Sequence, residues 1–180
     1  MAEDFYWADA SPELRDYHDH EWGIPQHEDD KLFELLSLET YQAGLSWQIV
    51  LKKRAAFNRA FHHFKIKQVA KMTAGDIDEL MQNPDIIRNR RKLEATVTNA
   101  QAVQRVQAEF GSFDQYLWNF VHGEPIINRP KRAEEVPAQT ELSQLVSKDM
   151  KQRGFKFVGP VTIYSYLQGA GLVDDHLDLR

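Results

Sequence analysis

"DIDELMQNPDIIRNRRKLEATVTNAQAV", residues 76–103, is the stretch that decides the fold. Thr73 with Asp76 marks a capped helix start for DIDELMQ. Asn83-Pro84-Asp85 then stops that helix in a turn, because proline lacks the N–H a helix needs. Ile86-Ile87 follows, and a long amphipathic run extends from Arg91 to about Phe110. Its start is basic: RNRRK, residues 88–92, holds Arg88, Arg90, Arg91 and Lys92. Helix N-termini leave N–H groups free, and flanking cations make such an end a seat for phosphate.

This order has the form of a helix-hairpin-helix, an element that grips one DNA backbone without reading its sequence. The glycine-rich hairpin is absent, and Asn83 and Asp85 are residues that tolerate left-handed geometry in its place. An ordinary corner between two helices fits the same stretch. Outward from it, the chain reads as helices joined by short turns. Ser11-Pro12 is an N-cap and N1 pair. Residues 29–44 form a helix that closes near Gly44. Further helices begin at Trp47, Ser112, Thr140 and Gly159-Pro160. Residues 123–139 read as a surface connection, and FKFV at 155–158 alternates too briefly for a confident strand. The expected class is all-α, one domain over residues 1–180 that sequence-discontinuous helical lobes would also fit.

Bulk properties narrow the function. A hydrophobic share of 42% and a charged share of 27% match an ordinary soluble globular protein. The apolar runs are too short to span a bilayer, and MAEDFYWAD lacks a signal pattern, so a cytoplasmic protein is expected. With no cysteine, disulfides, thiolate metal sites and a cysteine nucleophile are excluded. The net charge of −5 hides a segregation. Residues 1–39 carry twelve Asp/Glu against Arg15 and Lys31, while residues 52–71 carry seven Lys/Arg and no acid. Such segregation can put a basic face on an acidic molecule.

"SLETYQAGLSW", residues 37–47, raises a different question. Leu32, Leu35, Leu36 and Ala43 share one helix face, and Glu39 falls on it too. A buried unpaired carboxylate is costly, so Glu39 needs a partner or a ligand. Tyr17, Trp22, Tyr41 and Trp47 supply π-faces of the kind an extruded base stacks on, or simply core. YHDHEW at 17–22 and DDH at 174–176 hold spacings that a His/carboxylate metal site could use; surface histidines are the simpler account. No phosphate-binding glycine loop and no nucleophile elbow occur.

YHDHEWG at 17–23, LE-x-x-QAGLSW at 38–47 with LKKR at 51–54, DIIRNRRK at 85–92 and RGFKFVGP…GLVDDH at 153–176 together resemble the bacterial 3-methyladenine DNA glycosylase I family. The resemblance implies a helix-hairpin-helix glycosylase fold in two helical lobes with a base pocket between them. It implies hydrolysis of the N-glycosidic bond of 3-methyladenine in double-stranded DNA by a monomer, with the base flipped out. By position, Glu39 and Tyr17 would hydrogen-bond the base, Trp47 would stack on it and Trp22 would line the pocket. The Gly44-Leu45 turn would meet the lesion, and Arg88, Arg90, Arg91 and Lys92 would contact the DNA backbone. The catalytic aspartate of related glycosylases has no match, since RKLEATVTNA offers only Glu94. Glu39 is then the catalytic candidate, through recognition and electrostatic stabilisation.

Typical members of that family hold a structural zinc through two Cys and two His. His18 and His176 match the His positions, Phe5 stands at one Cys position, and the chain ends in HLDLR without the other. No metal and no other cofactor is therefore expected, with packing of Phe5 and Trp7 among the contacts that would tie the termini together. Two other accounts compete: a non-enzymatic binder of damaged DNA, and a metal-dependent hydrolase built on YHDHEW and DDH.

Overall fold

The computed structural model describes residues 6–180, so Phe5 lies outside the described residues. Nine α-helices occur among them: α1 (Pro12–His20), α2 (Asp29–Gln42), α3 (Trp47–Ala60), α4 (Ile66–Val69), α5 (Ala74–Leu80), α6 (Arg90–Phe110), α7 (Phe113–Asn119), α8 (Glu141–Gln152) and α9 (Pro160–Gly169). The fold is thus mostly helical, as the periodicity and caps predict. Ser11 accepts from Leu14 N with Pro12 at N1, and Thr73 and Asp76 close a reciprocal capping box. Thr140 does the same with Ser143.

The hairpin between α5 and α6 forms differently from expectation. Neither Asn83 nor Asp85 is left-handed. Instead the Asn83 side-chain oxygen accepts from Asp85 N at 2.9 Å, closing the turn by a side-chain bond. Asn89 then caps α6 by accepting from Lys92 N.

Helix α2 sits at the centre. It packs on α3, α6, α7 and α9, and every residue from Leu32 to Tyr41 is buried. The expected one-sided stripe is wrong for this helix, because three of its four polar residues in that run are satisfied. Ser37 Oγ donates to Phe33 O at 2.9 Å, and Thr40 Oγ1 donates to Ser37 O at 2.6 Å. Glu34 faces Arg54 of α3, which reaches Glu34 at 2.8 Å and Glu21 at 2.7 Å. Asn58 Nδ2 adds a bond to Glu34 at 2.6 Å. Ala43, expected on the buried face, is exposed, since the backbone leaves the helix there at φ −50°, ψ 113°.

Cross-links between helices are hydrogen-bonded as well as apolar. Tyr41 and Thr96 join α2 to α6 at 2.7 Å, and Tyr166 donates to Leu32 O at 2.7 Å from α9. One buried apolar cluster runs from Leu32 through Phe57, Leu93 and Val103 to Tyr166.

The strand content lies elsewhere than FKFV. Residues 126–127 (β1) pair in parallel with 173–174 (β2), and bonds between Asn128, Arg129 and Pro130 and residues 174–178 extend this anchor of the connection at 123–139. FKFV pairs with a side chain instead: Asn99 exchanges two bonds with the Lys156 backbone, at 2.8 and 3.1 Å.

Replacing Arg54 should expose the weight of the α2–α3 ion group. Arg54→Met leaves Glu34 buried without its cation, and about 3 kcal/mol of stability should be lost, read as a lower urea midpoint. Adding Glu34→Gln should recover part of that loss.

Candidate active site

A pocket of about 480 Å³ opens between α1, the end of α2, the start of α3 and α9. Tyr17, Trp22, Glu39 and Trp47, separated by up to thirty positions in the chain, all line it. Trp7 also lines it. Its ring stands edge-on to Trp22 at 5.2 Å and tilted to Tyr17 at 6.2 Å, while Tyr17 and Trp47 lie 5.5 Å apart. The result is an aromatic box, to which Tyr6, 5.8 Å from Trp7, adds a fifth ring.

Glu39 is its charge-bearing centre. The side chain is buried, and Glu39 Oε2 and Trp47 Nε1 are the buried side-chain polar atoms without a protein partner among the described residues. Both belong to this pocket. An unpaired buried polar atom costs roughly 1–3 kcal/mol. With no cation facing it, desolvation alone raises Glu39 from 4.5 to about 8. Burial, and then the Glu39 charge, hold the Tyr17 hydroxyl protonated, its pKa well above 10.

Gly169 of α9 makes this arrangement fit. A Cβ there would lie 3.0 Å from the Tyr17 hydroxyl and 3.7 Å from Glu39 Oε1. Ser165 and Gln168, on the same helix, also line the pocket, and Gln168 Nε2 donates to buried Asp175 at 2.8 Å. Ala133 and Val136 close one side, so the polar connection after α7 supplies part of the wall. Periodicity could not find Gly169 or Gln168, which look like ordinary helix residues. Trp7 carried a signal as an aromatic in the acidic N-terminal stretch.

Gly44 and Leu45 form an exposed turn beside the pocket, between α2 and the Ser46 cap of α3. Gly44 takes φ +79°, a conformation that glycine adopts without strain. At the hairpin, Arg88, Arg90 and Arg91 are exposed. Arg90 pairs with Asp78 at 2.5 Å and lies 3.7 Å from Glu94. Glu94 is exposed and does not line the pocket. Lys92 departs from the expected backbone contact. It is buried, and its Nζ donates to Tyr41 O at 2.9 Å and Ala43 O at 2.8 Å. The ammonium is spent on the carbonyl end of α2, where a cation also suits the helix dipole.

Of the three histidines in YHDHEW and DDH, His20 is a surface residue, whereas His18 is buried and His176 half-buried. His18 is buried and stands 4.5 Å from the His176 ring. His18 shares its nitrogens with the Tyr6 hydroxyl at 3.0 Å and Asp19 at 2.7 Å. His176 shares its own with Asp174 at 2.6 Å and His18 O at 2.9 Å. Among the described residues no three His, Asp or Glu side chains are arranged to hold a metal ion. All four ring nitrogens face protein groups, and the thiolates of a Cys₂His₂ site are missing. The donor set does not fit zinc, nor the metal-dependent hydrolase.

Residues 7–179 match the methyladenine glycosylase family. The chain belongs to that family. A DNA-3-methyladenine glycosylase of Haemophilus influenzae is 48% identical over 172 residues, which cover 96% of this chain and 93% of that protein. DNA-3-methyladenine glycosylase 1 of Escherichia coli is 42% identical over 171 residues, 95% of this chain and 91% of that one. Among solved structures, a variant 3-methyladenine DNA glycosylase I in complex with 3-methyladenine matches with a TM-score of 0.95 at 42% identity, covering 98% and 95% of the two chains. A 3-methyladenine DNA glycosylase I from Staphylococcus aureus gives 0.95 at 43% identity, covering 98% and 94%. The methyladenine glycosylase fold is therefore shared along nearly the whole chain.

The raised Glu39 pKa has a stability consequence. The unfolded chain ionises near 4.5 and the folded chain near 8, so the folded state holds more protons between them. Glu39 therefore costs stability progressively as pH rises from 4.5 to about 8, and the cost is level above that. Glu39→Gln should raise the Tm at pH 8, by the equivalent of a few kcal/mol, with the gain shrinking towards nothing at pH 4.5. Thermal melts across that range check it.

Proposed function

We propose that this chain is a DNA repair glycosylase that hydrolyses the N-glycosidic bond of 3-methyladenine in double-stranded DNA. The observation that carries the proposal is the unpaired Glu39 carboxyl inside an aromatic box. A base inside a duplex is out of reach of such a pocket, so the nucleotide must turn out of the helix to enter it.

The substrate's chemistry matches the box. 3-Methyladenine in DNA is cationic, and the faces of aromatic rings attract a desolvated cation. Its charge also favours the ionised form of Glu39, which desolvation otherwise disfavours. A neutral adenine offers no such compensation, and Glu39 discriminates against it. Tyr17 and the free Trp47 N–H offer polar contacts at the base edge. When the bond breaks, its electron pair leaves with the base, which becomes neutral. The sugar takes up the positive charge, water adds at its anomeric carbon, and the water's proton passes to solvent. Ionised Glu39 offsets the cation as charge moves from base to sugar. Among the described residues Glu39 is the one carboxylate that lines the pocket, which supports it as the residue that also orients the water.

The Gly44-Leu45 turn fills the gap the base leaves, and Arg88, Arg90 and Arg91 hold the backbone. The enzyme acts as a monomer and without zinc, the His18–His176 contacts taking zinc's place. A DNA substrate places its work with the chromosome, in a bacterium the cytoplasm.

Release of free 3-methyladenine from methylated duplex DNA tests the reaction. Glu39→Gln should release it on the order of a hundredfold more slowly; an undiminished rate removes Glu39 from the mechanism. Wild-type protein that binds methylated DNA and free base but releases none is a binder, not an enzyme. Metal analysis of chelator-washed protein should give no stoichiometric zinc, and chelator should leave activity and Tm unchanged.

A further inference from the structure

The base pocket occupies only the first turn of α3. Trp47 and Gln48 line it, and Ser46 caps the helix. A second groove begins at the next residue, Ile49. It runs between α3 and the hairpin and is lined by Ile49, Lys52, Lys53, Arg59, Pro84 and Asp85, with Ala55 and Ala56 as its floor. Its volume is about 510 Å³. Positions 49, 52, 53, 56 and 59 recur at helical spacing, so the groove follows one continuous face of α3. Lys53 Nζ donates to Asp85 O at 3.3 Å, which ties that face to the hairpin turn. Lys52 and Arg59 are exposed, and neither takes part in an ion pair among those described. Among the described residues Asp85 is the one acid lining the groove.

We infer that this face of α3 is a second phosphate-binding surface, which carries the DNA backbone from the base pocket to the hairpin. The inference rests on the glycosylase reading above and goes beyond the hairpin contacts. Three observations point the same way. First, the cations lack the carboxylate partners that neutralise Arg54 on the opposite side of the same helix. Second, exposed Leu45 and Ile49 lie at the pocket end of the face, where an opened base step presents apolar surface. Third, the length is right. From Trp47 to Arg59 the helix rises about 18 Å, the axial length of about five base pairs at 3.4 Å each. A backbone whose flipped nucleotide enters at Trp47 can therefore run along Lys52, Lys53 and Arg59, beside the hairpin turn at Pro84 and Asp85 that Lys53 holds.

Lys52→Glu/Arg59→Glu tests the surface, with Lys52→Gln/Arg59→Gln as the milder pair. Binding to undamaged duplex should weaken roughly tenfold for the Gln pair and more for the Glu pair at moderate salt. The slope of log affinity against log salt should flatten by about two, one for each lost phosphate contact. Release of 3-methyladenine at limiting enzyme should fall in step, while binding of the free base, followed by tryptophan fluorescence, stays at the wild-type value. Unchanged duplex affinity and salt slope in both folded pairs would overturn the inference and leave the glycosylase reading intact. Wild-type protein that releases no 3-methyladenine would overturn that reading instead, and the salt slopes would still decide whether α3 binds phosphate. Loss of free-base binding in both pairs, or a Tm collapse in both, would show that Lys52 and Arg59 support the fold and would equally overturn it.

Discussion

Helix α2 carries two buried glutamates, and their opposite treatment organises the molecule. Glu34 meets the Arg54 guanidinium and the Asn58 amide, which outweigh desolvation and hold its carboxyl below the ordinary value. Glu39, less than two turns further on, meets no cation, and desolvation pushes it to about 8. The two residue types are the same and so is the helix. What differs is which neighbour faces them: α3 closes over Glu34 and turns away at the pocket, where Glu39 looks out. Burial of α2 on every side is what makes an unpaired carboxylate both costly and useful. A half-exposed Glu39 would be solvated, ionised and indifferent to the charge of a ligand. The same group buried in an aromatic box is sensitive to the charge of whatever enters it, which is what the proposed recognition of a cationic base requires.

Much of the fold was legible because helix ends are local. Thr73–Asp76, Ser11-Pro12 and Thr140 act within three residues, and each cap stands where the chain spells it. The anomaly of Glu39 was legible for a related reason: helical spacing says which way a side chain faces. Spacing does not say what it meets. Lys92 reads as one more cation in RNRRK, yet it is the member turned inward, because position 92 shares the α6 face of Leu93 and Thr96 and the α2 carbonyls lie above it. Ser37 and Thr40 look too polar to bury until their bonds to the preceding turn are seen. Gly169 is silent in sequence because its role is a distance, the space that α9 leaves for Tyr17 and Glu39. The histidines posed the same problem from the other side. Their spacing suits a metal, and only their neighbours reveal a set of hydrogen bonds.

Lys92 links the two halves of the DNA-handling surface. One end of α6 presents exposed arginines, and the next residue inward holds the carbonyls of Tyr41 and Ala43 at the end of α2. Those carbonyls directly precede the Gly44-Leu45 turn. The exposed arginines of the hairpin and the Gly44-Leu45 turn, both proposed to meet DNA, are thus fastened through one buried ammonium, across 2.8 and 2.9 Å bonds. Its pKa is lowered by desolvation, so the charge is held at some cost, and the carbonyl dipoles at a helix C-terminus are what offset it. Gly44 supplies the sharp reversal and Ser46 restarts the chain as α3, whose first turn lines the base pocket. The anchor of α6, the Gly44-Leu45 turn and the first pocket residue of α3 therefore all fall within the seven residues from Tyr41 to Trp47. The position of the α6 start and that of the segment lining the pocket are thereby set together by one side chain.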